Sequence, residues 1–216
     1  SKGDMILPRE GIAAAPNSLA DSLGFERIHL NSNVKQIDAF TISVNDELQN
    51  FDAVICAYNP RMSESKRHVW TLHFDAEKSP LNSKHILLNG DLKTKNQLIA
   101  HVAVPSDIQP SYAPNGRSLV TVTIVGEAAQ EIGLTSEREI QSKALQELRD
   151  WFGSQVDTWD LLATQHIEHA LPEISAEGGL SESPLIRKNS FECGDHMMHG
   201  SLEGALLSAE KTAKQV

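Results

Sequence analysis

The stretch Phe191-Glu192-Cys193-Gly194-Asp195-His196-Met197-Met198-His199-Gly200-Ser201-Leu202-Glu203-Gly204-Ala205-Leu206-Leu207-Ser208 decides how the chain is read. A strand ends near Cys193, Gly194-Asp195 opens a loop, and a helix is predicted over about 202–214. Small residues recur at four-residue spacing, Gly200, Gly204, Ser208 and Thr212, with Ala205, Ala209 and Ala213 beside them. Such a face lets a backbone or a flat ligand come very close. Glu203, Glu210 and Lys211 exclude a role in pairing helices inside a membrane.

Working outward, Phe51-Asp52-Ala53-Val54-Ile55-Cys56-Ala57 is a continuous apolar run that ends in Tyr58-Asn59-Pro60. It reads as a strand buried on both faces of a parallel sheet. Cys56 and Cys193 then both end predicted strands, and two small buried hydrophobes is the simplest reading of them. Upstream, residues 5–24 read as an entry loop and a helix started by Pro16-Asn17-Ser18, with Leu19, Ala20 and Leu23 facing inward and Gly24 as the stop. Short runs at 27–30, 34–38 and 40–44 are separated by Asn31-Ser32-Asn33 and Asn45-Asp46, which predicts a small antiparallel meander.

Beyond Pro60 the texture changes. Strands are predicted at 69–74, 84–89, 97–104 and 119–125, the last with Thr121 and Thr123 alternating with Val120, Val122 and Ile124. Ser136 with Glu139 forms a capping box for a helix whose apolar stripe is Ile140, Ala144, Leu145, Leu148, Trp151 and Phe152, ended by Gly153. Residues 157–165 read as a short strand or helix led by Trp159, and 172–184 as a loop. Two outer segments thus share one texture and the middle has another, as an inserted domain would produce. The expected division is 1–58, 59–185 and 186–216.

Nineteen Lys+Arg against 29 Asp+Glu give a net charge of −10, so no basic stripe suits a phosphate backbone and nucleic acid is excluded as a partner. Apolar residues at 40% support a sizeable core. No run of 18 apolar residues occurs, so no transmembrane segment is expected. With two cysteines and no signal-peptide pattern, a reducing cytoplasmic setting is expected. None of the 13 glycines forms G-x-G, which removes the dinucleotide fingerprint, and no P-loop or G-x-S-x-G elbow is present. Cys193, His196 and His199, with the pair His166/His169, have spacing a metal could use, but a loop after a strand end is the better reading, so no metal is expected.

Three stretches together resemble the flavin-containing amine oxidoreductase superfamily, which includes amine oxidases, phytoene desaturases and protoporphyrinogen oxidases. They are Leu7-Pro8-Arg9-Glu10-Gly11-Ile12 with Pro16, Leu19, Ala20 and the run Leu30-Asn31-Ser32-Asn33-Val34; then Asp52 to Ala57; then Cys193-Gly194-Asp195-His196 with Gly200 to Leu206 and Ser208. The middle resembles the desaturase-like members through Tyr112-Ala113-Pro114-x-Gly116, Leu119, Trp159 and His169-Ala170-Leu171-Pro172.

The resemblance implies an α/β (α+β) fold: part of a Rossmann-like FAD-binding domain with an inserted mixed-sheet substrate-binding domain. It covers only the second half of such an enzyme, so the expected partner is a missing N-terminal FAD-binding half. FAD is the implied cofactor of the full-length parent, bound weakly or not at all by this part alone. The parent would oxidise a C–N or C–C bond of a small molecule by hydride transfer.

The resemblance places the main chain of Val34 at the adenine edge and Ala57 at the end of the second strand. It places Gly194 and Asp195 at the phosphate–ribityl chain, and Ser201 and Leu202 at the flavin pyrimidine edge. Tyr112, Trp159 and Leu171 are candidates for the substrate wall, and His169 for a base or polar contact. The rivals are a non-catalytic interaction domain derived from the family and a metal hydrolase built on the histidine pairs.

Overall fold

A computed structural model describes residues 5–36, 38–59, 67–92, 97–172, 185–187 and 189–216. In chain order the elements are α1 (Ala14–Leu23), β1 (Val34–Gln36), β2 (Thr41–Val44), β3 (Glu47–Asn50), β4 (Val54–Cys56), β5 (Val69–Ala76), β6 (Leu87–Leu88), β7 (Ile99–Ala103), α2 (Pro105–Ile108), β8 (Ser118–Val125), α3 (Gly126–Glu131), α4 (Glu137–Phe152), β9 (Asp160–Ile167), β10 (Leu185–Arg187), β11 (Ser190–Glu192) and α5 (Leu202–Ala213). The chain divides into two compact units, Ser1–Leu23 with Arg67–Glu168, and Gly24–Lys66 with His169–Val216.

The first unit is built on a five-stranded sheet of order β6-β7-β8-β5-β9. Alternation along β8 buries Val120, Val122 and Ile124 and leaves Thr121 and Thr123 half-exposed, as the sequence predicts. Opposite them in register, Phe74, Leu72 and Trp70 of β5 are buried too. Ile140, Ala144 and Leu148 of α4 belong to the same core. Expected to be mixed, this sheet is antiparallel at every neighbouring pair among the described residues. A sheet with one wet face is of the kind that antiparallel strands tolerate.

The capping box of α4 is formed: Glu139 N donates to Ser136 Oγ at 3.3 Å, and Ser136 N donates back to Glu139 Oε2 at 3.2 Å. The Ser136 bonds hold the Glu139 carboxyl below its usual range. Replacing Ser136 by alanine is expected to lower stability by about 1 kcal/mol, read by urea unfolding, chiefly through the lost acceptor for Glu139 N, which no titration touches; only the smaller part that runs through the Glu139 carboxylate should fade as acid protonates it. The sign follows from the lowered folded-state value: that contribution is present above the unfolded carboxylate pKa and is lost as pH falls through the folded one.

Three expectations in this unit are corrected. The segment Ser1–Leu23, expected with the outer parts, groups with the middle: Tyr112 Oη donates to Pro8 O at 3.0 Å and Ser111 Oγ to Arg9 O at 2.8 Å. Leu19 and Leu23, expected to face inward, are 62% and 50% exposed, because no described element of the unit covers that face of α1. The strand predicted at 84–89 shrinks to Leu87–Leu88, since Ser83 Oγ takes the His85 N–H into a local turn instead.

In the second unit, β1, β2 and β3 form the predicted meander. Asn45 and Asp46 join β2 to β3 with φ of 50° and 71°, the positive pair that a tight hairpin requires. Residues 27–30 are not a strand; a single 3-10 turn, Phe25–Arg27, stands there. Strand β4 pairs in parallel with β11, which β10 flanks antiparallel. Expected to be buried on both faces, β4 leaves Ile55 45% exposed, because described residues cover only one side of it.

Helix α5 turns its small face, Gly204, Ser208 and Thr212, inward. That face meets backbone: Gly194 N donates to Ser208 Oγ at 3.1 Å, and the Thr212 hydroxyl lies 3.5 Å from Glu192 O. The loop predicted at 172–184 lies outside the described residues from 173 onward. Among the described residues no helix is long and apolar enough to cross a membrane.

Candidate functional site

Six residues predicted for the cofactor, Val34, Ala57, Gly194, Asp195, Ser201 and Leu202, all fall in the second unit. The parallel pairing of β4 with β11 puts their carboxyl ends side by side, with Cys193 N donating to Cys56 O at 2.9 Å. Ala57 follows one strand and Gly194-Asp195 the other. In open α/β sheets ligands gather at this end. Gly194 has φ 149°, a conformation that favours glycine, and Asp195 leaves it as the first residue of a 3-10 turn, Asp195–Met197. The Asp195 side chain is 31% exposed, accessible to a ligand and sheltered from bulk solvent on one side.

Ser201 caps α5. Its Oγ accepts from Gly204 N at 3.0 Å and lies 2.8 Å from His199 Nδ1. The N–H groups of Leu202 and Glu203 find no acceptor among the described residues, so the positive end of the helix stays open.

Val34 pairs with Val44. The adjoining pair is hydrogen-bonded, with Asn45 N donating to Asn33 O at 2.9 Å, so Val34 sits at a position whose N–H and C=O point away from β2. β1 is the sheet edge, and these groups are not used by another described strand. Val34 also lines a concavity of about 540 Å³ with His29, Ile42, Val44, Gln49 and Phe51.

The substrate-wall candidates are divided between the two units. Tyr112 and Trp159 lie in the first unit, Leu171 and His169 in the second. Trp159 is a core residue, 9% exposed, with its ring 5.8 Å from Phe74 and 6.0 Å from Phe152. The Tyr112 hydroxyl is engaged by Pro8. Leu171 is 40% exposed and its Cδ2 would lie 3.5 Å from a β-carbon at Gly200.

Among the described residues no three His, Cys, Asp or Glu side chains converge as a metal site. His166 stacks on Trp70 at 4.0 Å and its Nε2 lies 2.9 Å from His68 Nδ1. Both cysteines are free thiols. Burial, then the nearby Cys56 and Glu192, pushes the Cys193 thiol up from its ordinary value.

The sequence reading missed one pair. His196 Nε2 lies 2.7 Å from Glu192 Oε1, both side chains nearly buried, on either side of Gly194-Asp195. A Glu and a His four positions apart was the available signal.

A search among curated proteins finds no match. Solved structures share the fold. An oxidoreductase from Methanosarcina mazei superposes with a TM-score of 0.69 at 17% identity, over 95% of this chain and 54% of that one. Cyclohexylamine oxidase from Brevibacterium oxydans IH-35A gives 0.71 at 14%, over 95% and 52%. A protein of Exiguobacterium sp. 255-15 assigned as a protoporphyrinogen oxidase gives 0.69 at 13%, over 96% and 51%. The chain therefore spans about half the length of these structures. A family model described as flavin containing amine oxidoreductase matches residues 1–216, and the chain belongs to that family of flavin-dependent oxidoreductases.

Proposed function

We propose that this chain is the C-terminal part of an FAD-dependent oxidoreductase that oxidises a C–N or C–C bond of a small molecule by hydride transfer to flavin. The observation that carries the reading is the Gly194-Asp195 turn at the adjoining carboxyl ends of β4 and β11. The donor set fits the cofactor. Val34 offers one main-chain donor and one acceptor at fixed geometry, which suits the adenine edge. Gly194 gives the turn its positive φ and leaves room for the His196 ring, its own N–H being taken by Ser208 Oγ, and the acceptor-only carboxylate of Asp195 suits the hydroxyls of a sugar chain. The open N–H groups at Leu202 and Glu203, with Ser201 as cap, favour negative charge on whatever lies against them.

Bound FAD supplies the two-electron chemistry, and the chain's residues bind, orient and polarise it. The domain assignment follows: 24–58 and 186–216 serve the cofactor, and 67–168 the substrate. The remaining partner is an N-terminal segment carrying the other half of the nucleotide site. Tyr112, Leu171 and His169 stay substrate-side candidates, and two free thiols fit a reducing cytoplasm.

The test is made on the full-length protein. Its purified form should carry flavin absorbance, and Asp195→Ala should raise the dissociation constant for FAD about ten- to hundredfold, the loss expected for bonds to a charged acceptor. Unchanged retention would count against the site. A full-length protein with no flavin affinity would favour the non-catalytic interaction domain.

A further inference from the structure

The buried pair at the site poses a chemical question. The Glu192 and His196 side chains are 10% and 5% exposed. A carboxylate only accepts, so the 2.7 Å contact puts a proton on His196 Nε2 and, in the neutral ring, leaves Nδ1 a bare lone pair. That Nδ1 is buried and has no hydrogen-bond partner among the described residues. Its nearest charged neighbour is Asp195 Oδ1 at 3.9 Å, beyond hydrogen-bond reach. The ring also lies over Gly194: a β-carbon there would stand 2.6 Å from both Nδ1 and Cε1. One imidazole, anchored from the end of β11, therefore packs against the glycine and flanks the carboxylate of the turn. Any residue larger than glycine at 194 would displace it.

We propose that His196 is a positioning residue of the cofactor site. Held at Nε2 by Glu192, its ring fixes the Gly194-Asp195 turn so that the Asp195 carboxylate stays presented to ligand hydroxyls at the ends of β4 and β11. This inference rests on the reading of Asp195 as a flavin contact. His196 itself touches no ligand; it acts through Asp195. A glutamine at 196 can place an N–H donor near the former Nε2 and keep the anchor, whereas alanine or leucine cannot.

The experiment measures FAD dissociation constants of the full-length protein for His196→Ala, His196→Gln, Asp195→Ala and the double variant Asp195→Ala/His196→Ala. His196→Ala should weaken binding about tenfold, and His196→Gln should stay within about threefold. In the Asp195→Ala background, His196→Ala should add less than about twofold, because the residue through which it acts is gone. An equal loss in both backgrounds would mean a merely structural role and overturn the proposal, as would unchanged binding in His196→Ala. If Asp195→Ala alone has no effect, the flavin-contact reading fails first, and that outcome is distinct from a failure of His196. Should His196→Ala not fold, His196→Leu, which keeps volume but no donor, makes the same comparison against His196→Gln.

Discussion

Replacing Glu147 by alanine should remove about 3–5 kcal/mol of stability, a large share of the roughly 5–15 kcal/mol that holds a typical domain folded. Glu147 sits on the inner side of α4 and is 2% exposed. Its carboxylate accepts from Leu98 N at 2.8 and 3.0 Å and from Ile99 N at 3.0 Å, at the start of β7. Lys143 approaches to 3.4 Å but is 35% exposed, so solvent screens most of that attraction. The backbone donors decide the effect. Alanine strands two buried N–H groups, each costing about 1–3 kcal/mol, and opens a cavity besides. Glu147→Gln keeps one acceptor oxygen and should fall between, while Lys143→Ala should cost less than about 1 kcal/mol. All three tryptophans, Trp70, Trp151 and Trp159, lie in this unit, so their fluorescence during urea unfolding reports it directly. A loss below about 1 kcal/mol for Glu147→Ala would show that other groups satisfy the β7 amides.

Glu147 also shows where sequence reading stops. It falls seven positions after Ile140, on the apolar stripe, yet a charge there looks like an interruption. Its partners stand 49 and 48 positions earlier, and no local rule points to them. By contrast the α4 cap, the Thr/Val alternation of β8 and the Asn45-Asp46 hairpin obey rules that span a few residues, and all three were legible. The exposed faces of Ile55, Leu19 and Leu23 mark a different limit. Their apolarity was readable, but apolarity alone does not say whether a layer packs on a face, and among the described residues none covers these three.

At the site the same division holds. Gly194-Asp195 and the small face of α5 announce themselves as a close approach. What the face approaches is the backbone after β11, which only the structure decides between backbone and flat ligand. The position of Val34 is readable, but the direction of its amide depends on the register set at Asn33 and Asn45, and a shift of one residue would reverse it. Glu192 and His196 are four apart, yet the glycine loop between them breaks any helical reading of that spacing.

Gly204→Ala should open the second unit about a hundredfold more often than in the parent sequence, although alanine is the better helix former. Gly204 is the third residue of α5, and its amide is the one capped by Ser201. A β-carbon there would stand 2.1 Å from the carbonyl oxygen of His199, a backbone atom that accepts from Ser201 N at 2.7 Å and has little room to retreat. Either α5 lifts from β11 or the turn before it opens, and both loosen the cap. Overpacking at the upper end costs about 3 kcal/mol, loss of the cap about 1, and the gain in helix propensity returns about 1, which leaves roughly 3 kcal/mol, or about a hundredfold in the opening equilibrium. Cys193 reads that equilibrium. It is 7% exposed, and its raised pKa makes the thiol a slow nucleophile while buried, so its alkylation in a Cys56→Ser background waits on opening. A change in rate of less than about threefold would mean that His199 does not press on the helix, and the tight seat assigned to the start of α5 would have to be given up.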